Sequence, residues 1–581
     1  MTDSAPGGDR GPTRIPSFAG WLALALGVLV VLGVLATRFV AAEHTLYHAD
    51  QVAYWEFSRG LAAQLGSEPW VAAQGVAWSV AHADLNLLPA LPVAASMLAV
   101  GDSRAAYVAT VMAIYGLAVV AMLLGAVRWG SPDGFRPPAW TAIAATLAAV
   151  LLFPALWRPV FLGYLGLGGV ALGLVIFTLY FRADPATVPW QQLVLIGFLI
   201  AMVALFRRWY GFWAVAFCAI LVLDLVWRLW GGRPSHRRDL WQAARAPLIV
   251  GAATGATLAL LAAPLIVDRL APGYAQEFAA YARSAGLAGG VNELVGEFGL
   301  LPLALGVAAA AFLAWHRSTR RIGTLVPLQM VVTYVLMVRL QGHGPHHWYL
   351  YLAGALFLVG LAVVRWVSRL VTTRARAATA VAMVGIGLVV MGGVHAEWLR
   401  PVADLMGPLV PQHRVRPLRR QDIAEVQRLL AFLDEHIARR EGYIYVLGST
   451  GTLSDQSLAF ANRSLGTAYR SPASILQSAH VDRRDGFPRM LLEATYVVVP
   501  QPTQTGMIAR EQQVVVIPTN SFVRGENLAR AFRRLPVEFL LEGDVRVWVF
   551  ERERNITADE VAELSASLRS VYPDRPDIWR P

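Results

Sequence analysis

Long apolar runs, broken at intervals by arginines and short polar turns, fill the first two-thirds of the chain. A bilayer core of ~30 Å takes ~20 apolar residues per helix. On that measure candidate spans fall at about 18–41, 105–127, 138–157, 160–181, 189–206, 210–229, 247–267, 298–315, 323–339, 347–364 and 377–396. One further apolar stretch, Leu85–Val100, is short and interrupted by Pro89 and Pro92. The first run follows a polar, glycine-rich tail, is too long for a signal-peptide core and has no clear cleavage site, so it reads as an uncleaved span.

Arginine placement then orients the spans. The chain has no lysine, so its basic excess is arginine. With Leu85–Val100 kept out of the bilayer, seventeen arginines fall on one set of loops. They run from Arg10 and Arg14 through Arg128, Arg136, Arg182, the 228–245 and 317–321 groups, to Arg365–Arg376. The short turns of the opposite set hold only Arg158, Arg207, Arg208 and Arg339. Counting Leu85–Val100 as a span would invert every later loop against the positive-inside rule, so that stretch is expected to lie in the interface. Three long outer segments remain: 42–104, 268–297 and everything after 397.

Beyond 397 the pattern changes to mixed charge. Pro401–Pro417 reads as a linker, followed by an amphipathic helix over about 420–439 with Ile423, Val426, Leu429, Leu430 and Leu433 on one face. A β-run at Tyr443–Leu447 leads into Gly448-Ser-Thr-Gly451 and another helix. Later β-runs are expected at Ala494–Val499, Val514–Ile517 and Val545–Phe550, with a helix near 525–534, which suggests a small α/β layer domain. The predicted organisation is a cytoplasmic tail 1–17, a membrane domain 18–397, a linker 398–419 and an extracytoplasmic α/β domain 420–581. The fold class is a polytopic α-helical membrane protein with about eleven transmembrane helices.

Composition agrees with this picture and narrows the chemistry. Of the 581 residues, 56% are hydrophobic and only 15% charged, and the mean hydropathy is +0.48. A pI near 10.0 could point to nucleic acid, but the arginines punctuate apolar segments, so no nucleic-acid partner is expected. A lone cysteine, Cys218, lies inside an apolar run and supports neither a disulfide framework nor a cysteine metal site. The glycines of Gly163-Tyr-Leu-Gly-Leu-Gly-Gly169 lie in a span and read as close helix packing. Asp224 and Arg228, one turn apart, read as a pair at the membrane edge.

The polar candidates gather on the outer face. The first span exits into Glu43-His-Thr-Leu-Tyr-His-Ala-Asp50, with Tyr54 and Trp55 beside it, and the same loop carries His82-Ala-Asp84. Two carboxylates, Asp50 and Asp84, could supply a general base for an acceptor hydroxyl and a partner or metal ligand; both also fit ordinary solvated loop acids. Tyr54 and Trp55 flank Asp50 as an interface belt would, and with His82 they are candidate ligand contacts. Arg207 and Arg208 crowd one short outer turn, where guanidinium would bind lipid phosphate in bidentate fashion or snorkel to headgroups. The last outer turn, Arg339-Leu-Gln-Gly-His343-Gly-Pro-His346-His347, adds candidate phosphate ligands at Arg339, His343, His346 and His347. Three histidines on a Gly-Pro turn give zinc no fixed face.

Taken together, His48-Ala-Asp-Gln51 after the first span, the interfacial segment before the second, the many-helix topology and the C-terminal domain resemble the GT-C superfamily of polyprenyl-phosphate-sugar glycosyltransferases. Its members include protein O-mannosyltransferases, lipid A aminoarabinose transferases and oligosaccharyltransferase catalytic subunits. The resemblance implies that Asp50 inherits the role of catalytic base or acceptor-orienting group, and that the outer basic residues hold the carrier phosphate. Many relatives have two adjacent acids where this chain has Asp50-Gln51, and the outer turn Pro154-Ala-Leu-Trp-Arg158-Pro lacks the acidic pair of the oligosaccharyltransferases. No cofactor is implied, and a divalent metal is conceivable but unsupported. The expected activity is inverting transfer of sugar from a polyprenyl-phosphate donor to a cell-envelope glycan, lipid or protein acceptor, in a bacterial plasma membrane with the N-terminus inside. A transporter or flippase of lipid-linked sugars, and a non-catalytic glycan-binding membrane protein, fit the same topology.

Overall fold

The computed structural model describes residues 18–231, 237–270, 279–282, 286–407, 409–465 and 474–581. The predicted tail 1–17 with Arg10 and Arg14, Arg233, and positions 271–278 and 283–285 of the predicted outer loop lie outside the described residues. The chain is a polytopic α-helical membrane protein carrying a C-terminal α/β domain.

Among the described residues six helices are long and apolar enough to cross a bilayer unaided: Arg104–Trp129, Tyr210–Trp230, Ala244–Val267, Arg320–Leu340, Tyr349–Ser368 and Thr373–Gly393. Two helix pairs are sharply bent, the second joining a helix of the predicted outer loop 268–297 to the predicted span 298–315. Ala139–Leu151 turns by 64° into Pro154–Phe161, and Gly286–Phe298 turns by 102° into Leu300–Trp315. Pro154 cannot continue the preceding hydrogen-bond ladder, and Gly299 bends the chain at φ +84°, where a Cβ would be strained. Shorter apolar helices cover Leu26–Ala42, Leu88–Val100, Leu167–Phe181 and Trp190–Phe206. Helical rise makes Leu88–Val100 about 20 Å long, short of a ~30 Å core. The predicted first outer loop is itself largely helical, over Asp50–Ser67 and Pro69–His82.

Two helices form the centre of the bundle, Leu167–Phe181 and Tyr349–Ser368, both buried along most of their length. An all-round apolar helix suits enclosure by others. The glycine run lets neighbours approach: a Cβ on Gly169 would lie 2.1 Å from the Tyr210 ring, one on Gly168 2.4 Å from Phe206, and one on Gly173 2.8 Å from the Ala353 Cβ.

Polar clusters mark the two ends of the bundle. At one end the buried Asp224 accepts hydrogen bonds from Tyr180 (2.6 Å), Arg321 (2.8 Å) and Arg228 (3.2 Å), while Arg365 pairs with Asp133 at 2.6 Å. The sequence pattern suggested Arg228 alone for Asp224; Arg321, 97 residues on, is the closer guanidinium. At the other end lie Asp50, Arg207 and the His343–His347 turn. There too Glu297 accepts from both Arg158 and Arg414, tying helix Pro154–Phe161 to the predicted linker.

The C-terminal domain is a four-stranded sheet of β1 (Tyr443–Val446), β2 (Ala494–Gln501), β3 (Phe532–Leu541) and β4 (Val545–Arg552), ordered β1-β2-β4-β3. The β1–β2 pair is parallel and the others antiparallel. Helix Ile423–Arg439 covers one face through Val426, Leu429, Leu430 and Leu433. Helices Gln513–Arg524 and Ala558–Arg569 cover the other, so β2 reads as the continuous apolar run of a strand buried on both sides. Two expected elements differ. Val514–Ile517 is helix, because the buried Asp482 carboxylate accepts the Val514 N–H at 2.7 Å and caps its first turn. The region 525–534 is a short 3₁₀ turn running into β3, whose pairing with β4 outweighs its local helical composition.

Candidate active site

The chain leaves the first span through Tyr47 and His48, turns at Ala49 and enters helix Asp50–Ser67. That makes Asp50 the first residue of a helix, where the macrodipole favours a carboxylate. Its Oδ2 accepts a hydrogen bond from Arg207 Nη2 at 2.8 Å. Arg207 is only 5% exposed, against 25% for Asp50, and its guanidinium lies 4.3 Å over the ring of Tyr54, one turn along the same helix. The tight turn that follows Trp190–Phe206 aims the second arginine at the second acid: Arg208 Nη1 is 2.9 Å from Asp84 Oδ2. Asn86 fastens that loop by donating to the Leu205 carbonyl at 2.7 Å. Each arginine of the pair therefore holds one of the two loop carboxylates, where the sequence suggested a direct hold on phosphate.

The three histidines have separate surroundings. His346 Nε2 lies 3.9 Å from Asp50 Oδ2, its ring between Tyr164 and Trp209 at 4.8 and 5.6 Å. His347 Nδ1 accepts the Gly344 N–H at 2.8 Å, which leaves the proton of the neutral ring on Nε2. His343 stacks on Trp348 at 4.3 Å and shares a 2.7 Å hydrogen bond with the Tyr351 hydroxyl. Burial first, then Arg207 and Arg208, pushes His346 well below the ordinary histidine value. Burial, then the neighbouring histidines and Arg207, does the same to His347. Among the described residues no group of three or more histidine, cysteine, aspartate or glutamate side chains is arranged to hold a metal ion.

Not every predicted residue joins this group. Arg339 is exposed at the end of Arg320–Leu340 and makes no ion pair among the described residues. His82 is exposed, stacked on Trp78 and bonded to that residue's carbonyl. Tyr54 and Trp55 are buried, at 0% and 3% exposure. Tyr54 supports Arg207, and the Trp55 indole donates to the Asp102 carbonyl at 3.0 Å. Both are packed into the loop, and the Tyr54 hydroxyl has no hydrogen-bond partner among the described residues.

On the residues of this helix start and of the two turns that meet it, several polar atoms are buried with no hydrogen-bond partner among the described residues: Arg207 Nη1, Trp209 Nε1, His346 Nδ1, the Tyr54 hydroxyl and Gln51 Oε1. An unsatisfied buried polar group costs about 1–3 kcal/mol, so Arg207 Nη1 and His346 Nδ1, on the two side chains that lie against Asp50, are open to a polar ligand.

Sequence reading missed Arg104. It is buried, donates to the carbonyls of Gln51 and Leu162 at 2.8 Å each, and lies 4.1 Å over the Tyr47 ring. It thereby bolts the Asp50 loop to the turn after Pro154–Phe161. Gly163, at φ +80°, has room for no side chain there: a Cβ would lie 2.6 Å from Arg104 Nη1. An arginine at a predicted span boundary reads only as a membrane-edge charge, so the sequence carried no signal for this role. Equally hidden was an almost wholly apolar cavity of about 400 Å³, lined by Phe298, Leu303, Val307, Met330, Tyr334 and Tyr351 among others. Tyr351 links its wall to His343.

No protein-family model matches the chain, and no curated protein matches it. Among solved structures the chain is similar to ArnT from Cupriavidus metallidurans bound to undecaprenyl phosphate: 14% identity, 93% of this chain and 100% of that one, TM-score 0.48. The same protein in the apo state matches at 15% identity over 94% and 99%, TM-score 0.46. The archaeal oligosaccharyltransferase AglB from Archaeoglobus fulgidus, in complex with an inhibitory peptide and a dolichol-phosphate, matches at 11% identity over 82% and 69%, TM-score 0.42.

Proposed function

We propose that the chain is a membrane glycosyltransferase that moves a sugar from a polyprenyl-phosphate carrier to a hydroxyl of a cell-envelope glycan, lipid or protein, at the face where Asp50 lies. The observation that carries this reading is the half-open Asp50 carboxylate with Arg207 and His346 against it, whose Nη1 and Nδ1 atoms are buried with no hydrogen-bond partner among the described residues. A phosphate diester offers the acceptor oxygens those groups lack, and charge-assisted bonds from a guanidinium are the strong ones.

In this reading Asp50 takes the proton of the acceptor hydroxyl as its oxygen attacks the anomeric carbon. The bond from that carbon to the phosphate oxygen breaks on the opposite side, and the electron pair leaves on polyprenyl phosphate, inverting the centre. Arg207 spans both events, Nη2 on the base and Nη1 toward the leaving oxygen, so charge developing on phosphate meets a fixed cation in a water-poor setting. His346, neutral near pH 7, orients a phosphate or sugar oxygen, and Arg208 keeps Asp84 and its loop in place. The apolar cavity at His343 and Tyr351 suits the first isoprene units. Seventeen arginines on the opposite loops support an outer, extracytoplasmic placement of the site, with the C-terminal domain on the same side and the N-terminus inside a bacterial plasma membrane.

Reconstituted protein with a radiolabelled polyprenyl-phosphate sugar tests the reading. Release of polyprenyl phosphate, lost in a normally inserted Asp50→Asn variant, is the expected result; undiminished turnover in that variant overturns it. Mass spectrometry of envelope glycans from a strain lacking the protein identifies the sugar and acceptor.

A further inference from the structure

We propose that Gln456 of the C-terminal domain is a positioning residue for Asp50, acting through the backbone of Ala49. This rests on the reading of Asp50 as the reacting carboxylate.

Ala49 has φ 49° and ψ −135°, a conformation that residues with a Cβ rarely adopt and that persists only where the surroundings over-determine it. The restraint comes from across the chain: the Gln456 side-chain oxygen accepts the Ala49 N–H at 2.7 Å. Neighbouring residues of the same loop are held by the same domain. The Tyr47 N–H donates to Ser464 Oγ at 3.0 Å. The His48 ring lies against Gly451, where a Cβ would come within 2.7 Å of it. His44 pairs through its backbone with Leu418 and Arg420 at 2.9 and 2.8 Å.

Gln456 is itself fixed. It lies on the short helix Asp455–Ala459, closed by a reciprocal Ser454–Ser457 capping box. The buried Asp455 preceding it accepts from the Ser478 N–H and pairs with His480 Nε2, both at 3.0 Å. A rigid acceptor therefore sets the one strained residue before Asp50, and rotation there would swing the carboxylate away from Arg207 and His346. Misplacement of a reacting group by about 1 Å is enough to cost about 10²-fold in rate.

The test uses the full-length protein in lipid nanodiscs. Gln456→Leu is expected to lower kcat between about tenfold and a hundredfold with donor KM nearly unchanged, the pattern of a lost transition-state interaction. Gln456→Glu keeps an acceptor oxygen and should stay near wild type. Adding Ala49→Gly to Gln456→Leu should restore much of kcat, because glycine takes that backbone without a brace. Hydrogen exchange of the peptide containing Ala49, which needs no turnover, should speed up in Gln456→Leu and not in Gln456→Glu. Unchanged exchange, or a kcat loss that glycine does not recover, overturns the positioning role. Absence of transfer by wild type with faster exchange in Gln456→Leu would instead sink the proposed function and leave the brace standing.

Discussion

Asp50→Asn separates the structural share of the Asp50–Arg207 pair from its chemical share. Breaking a buried pair by removing one partner costs about 3–5 kcal/mol, whereas exposed pairs are worth up to about 1 kcal/mol. Arg207 is 5% exposed and Asp50 25%, so the Asn variant strands the more deeply buried charge, and a loss of about 2–3 kcal/mol is expected between those limits. Arg207→Gln strands the wetter carboxylate and should cost about 1–2 kcal/mol by the same scaling. The double variant strands neither charge, so its loss should fall below the sum of the singles by at least about 1 kcal/mol of coupling. Thermal unfolding of the four proteins in one detergent measures this. The transfer rate should behave differently: Asp50→Asn lowers kcat by about 10²–10⁴, and the second substitution recovers none of it. Stability losses that simply add would refute the 2.8 Å pair, and wild-type kcat in Asp50→Asn would remove the base from the scheme.

Three further outcomes are expected. Gly169→Ala drives a methyl into the Tyr210 ring, 2.1 Å from the new Cβ, and should cost 1–3 kcal/mol or more of overpacking, read as lost monodisperse protein in size-exclusion chromatography. Burial and two arginines hold His346 well below its ordinary value, so the unfolded chain binds the proton more readily. Stability should be full above about pH 6.5 and decline as the pH falls below it, and His346→Gln should flatten that slope in an unfolding series. Arg104→Lys should fail to replace arginine, since one ammonium cannot serve the Gln51 and Leu162 carbonyls in the same geometry; transfer activity and proteolysis of the first outer loop report it.

What the sequence revealed follows the range of the forces involved. Apolar length and arginine placement act locally and collectively, so the membrane bundle, the short Leu88–Val100 segment and the sharing of one face by Asp50, Asp84, Arg207, Arg208 and His346 were legible. Pairings were not. Nothing in the order of residues says that Arg207 meets Asp50 and Arg208 meets Asp84, 157 positions separating the first two. The same blindness hid Arg104, whose partners are backbone carbonyls supplied by two distant turns. It hid the helix at Gln513–Arg524 as well: Val514-Val-Val-Ile has strand composition, and only a carboxylate folded back from Asp482 caps it as helix. Tyr54 and Trp55 are buried in the loop, a placement the sequence did not show, since aromatic residues near a membrane surface serve equally well as contacts and as packing.

The bond from Ala49 to Gln456 joins residues 407 apart in the chain. At ribosomal speeds of about 5–20 residues per second, roughly 20–80 s separate the emergence of the two. The loop before Asp50 thus waits for a domain made much later before its geometry is set. On the proposed reading of Asp50, a chain still lacking that domain would hold the carboxylate out of register, unable to spend carrier-bound sugar on water, and seating of the domain is what arms the site.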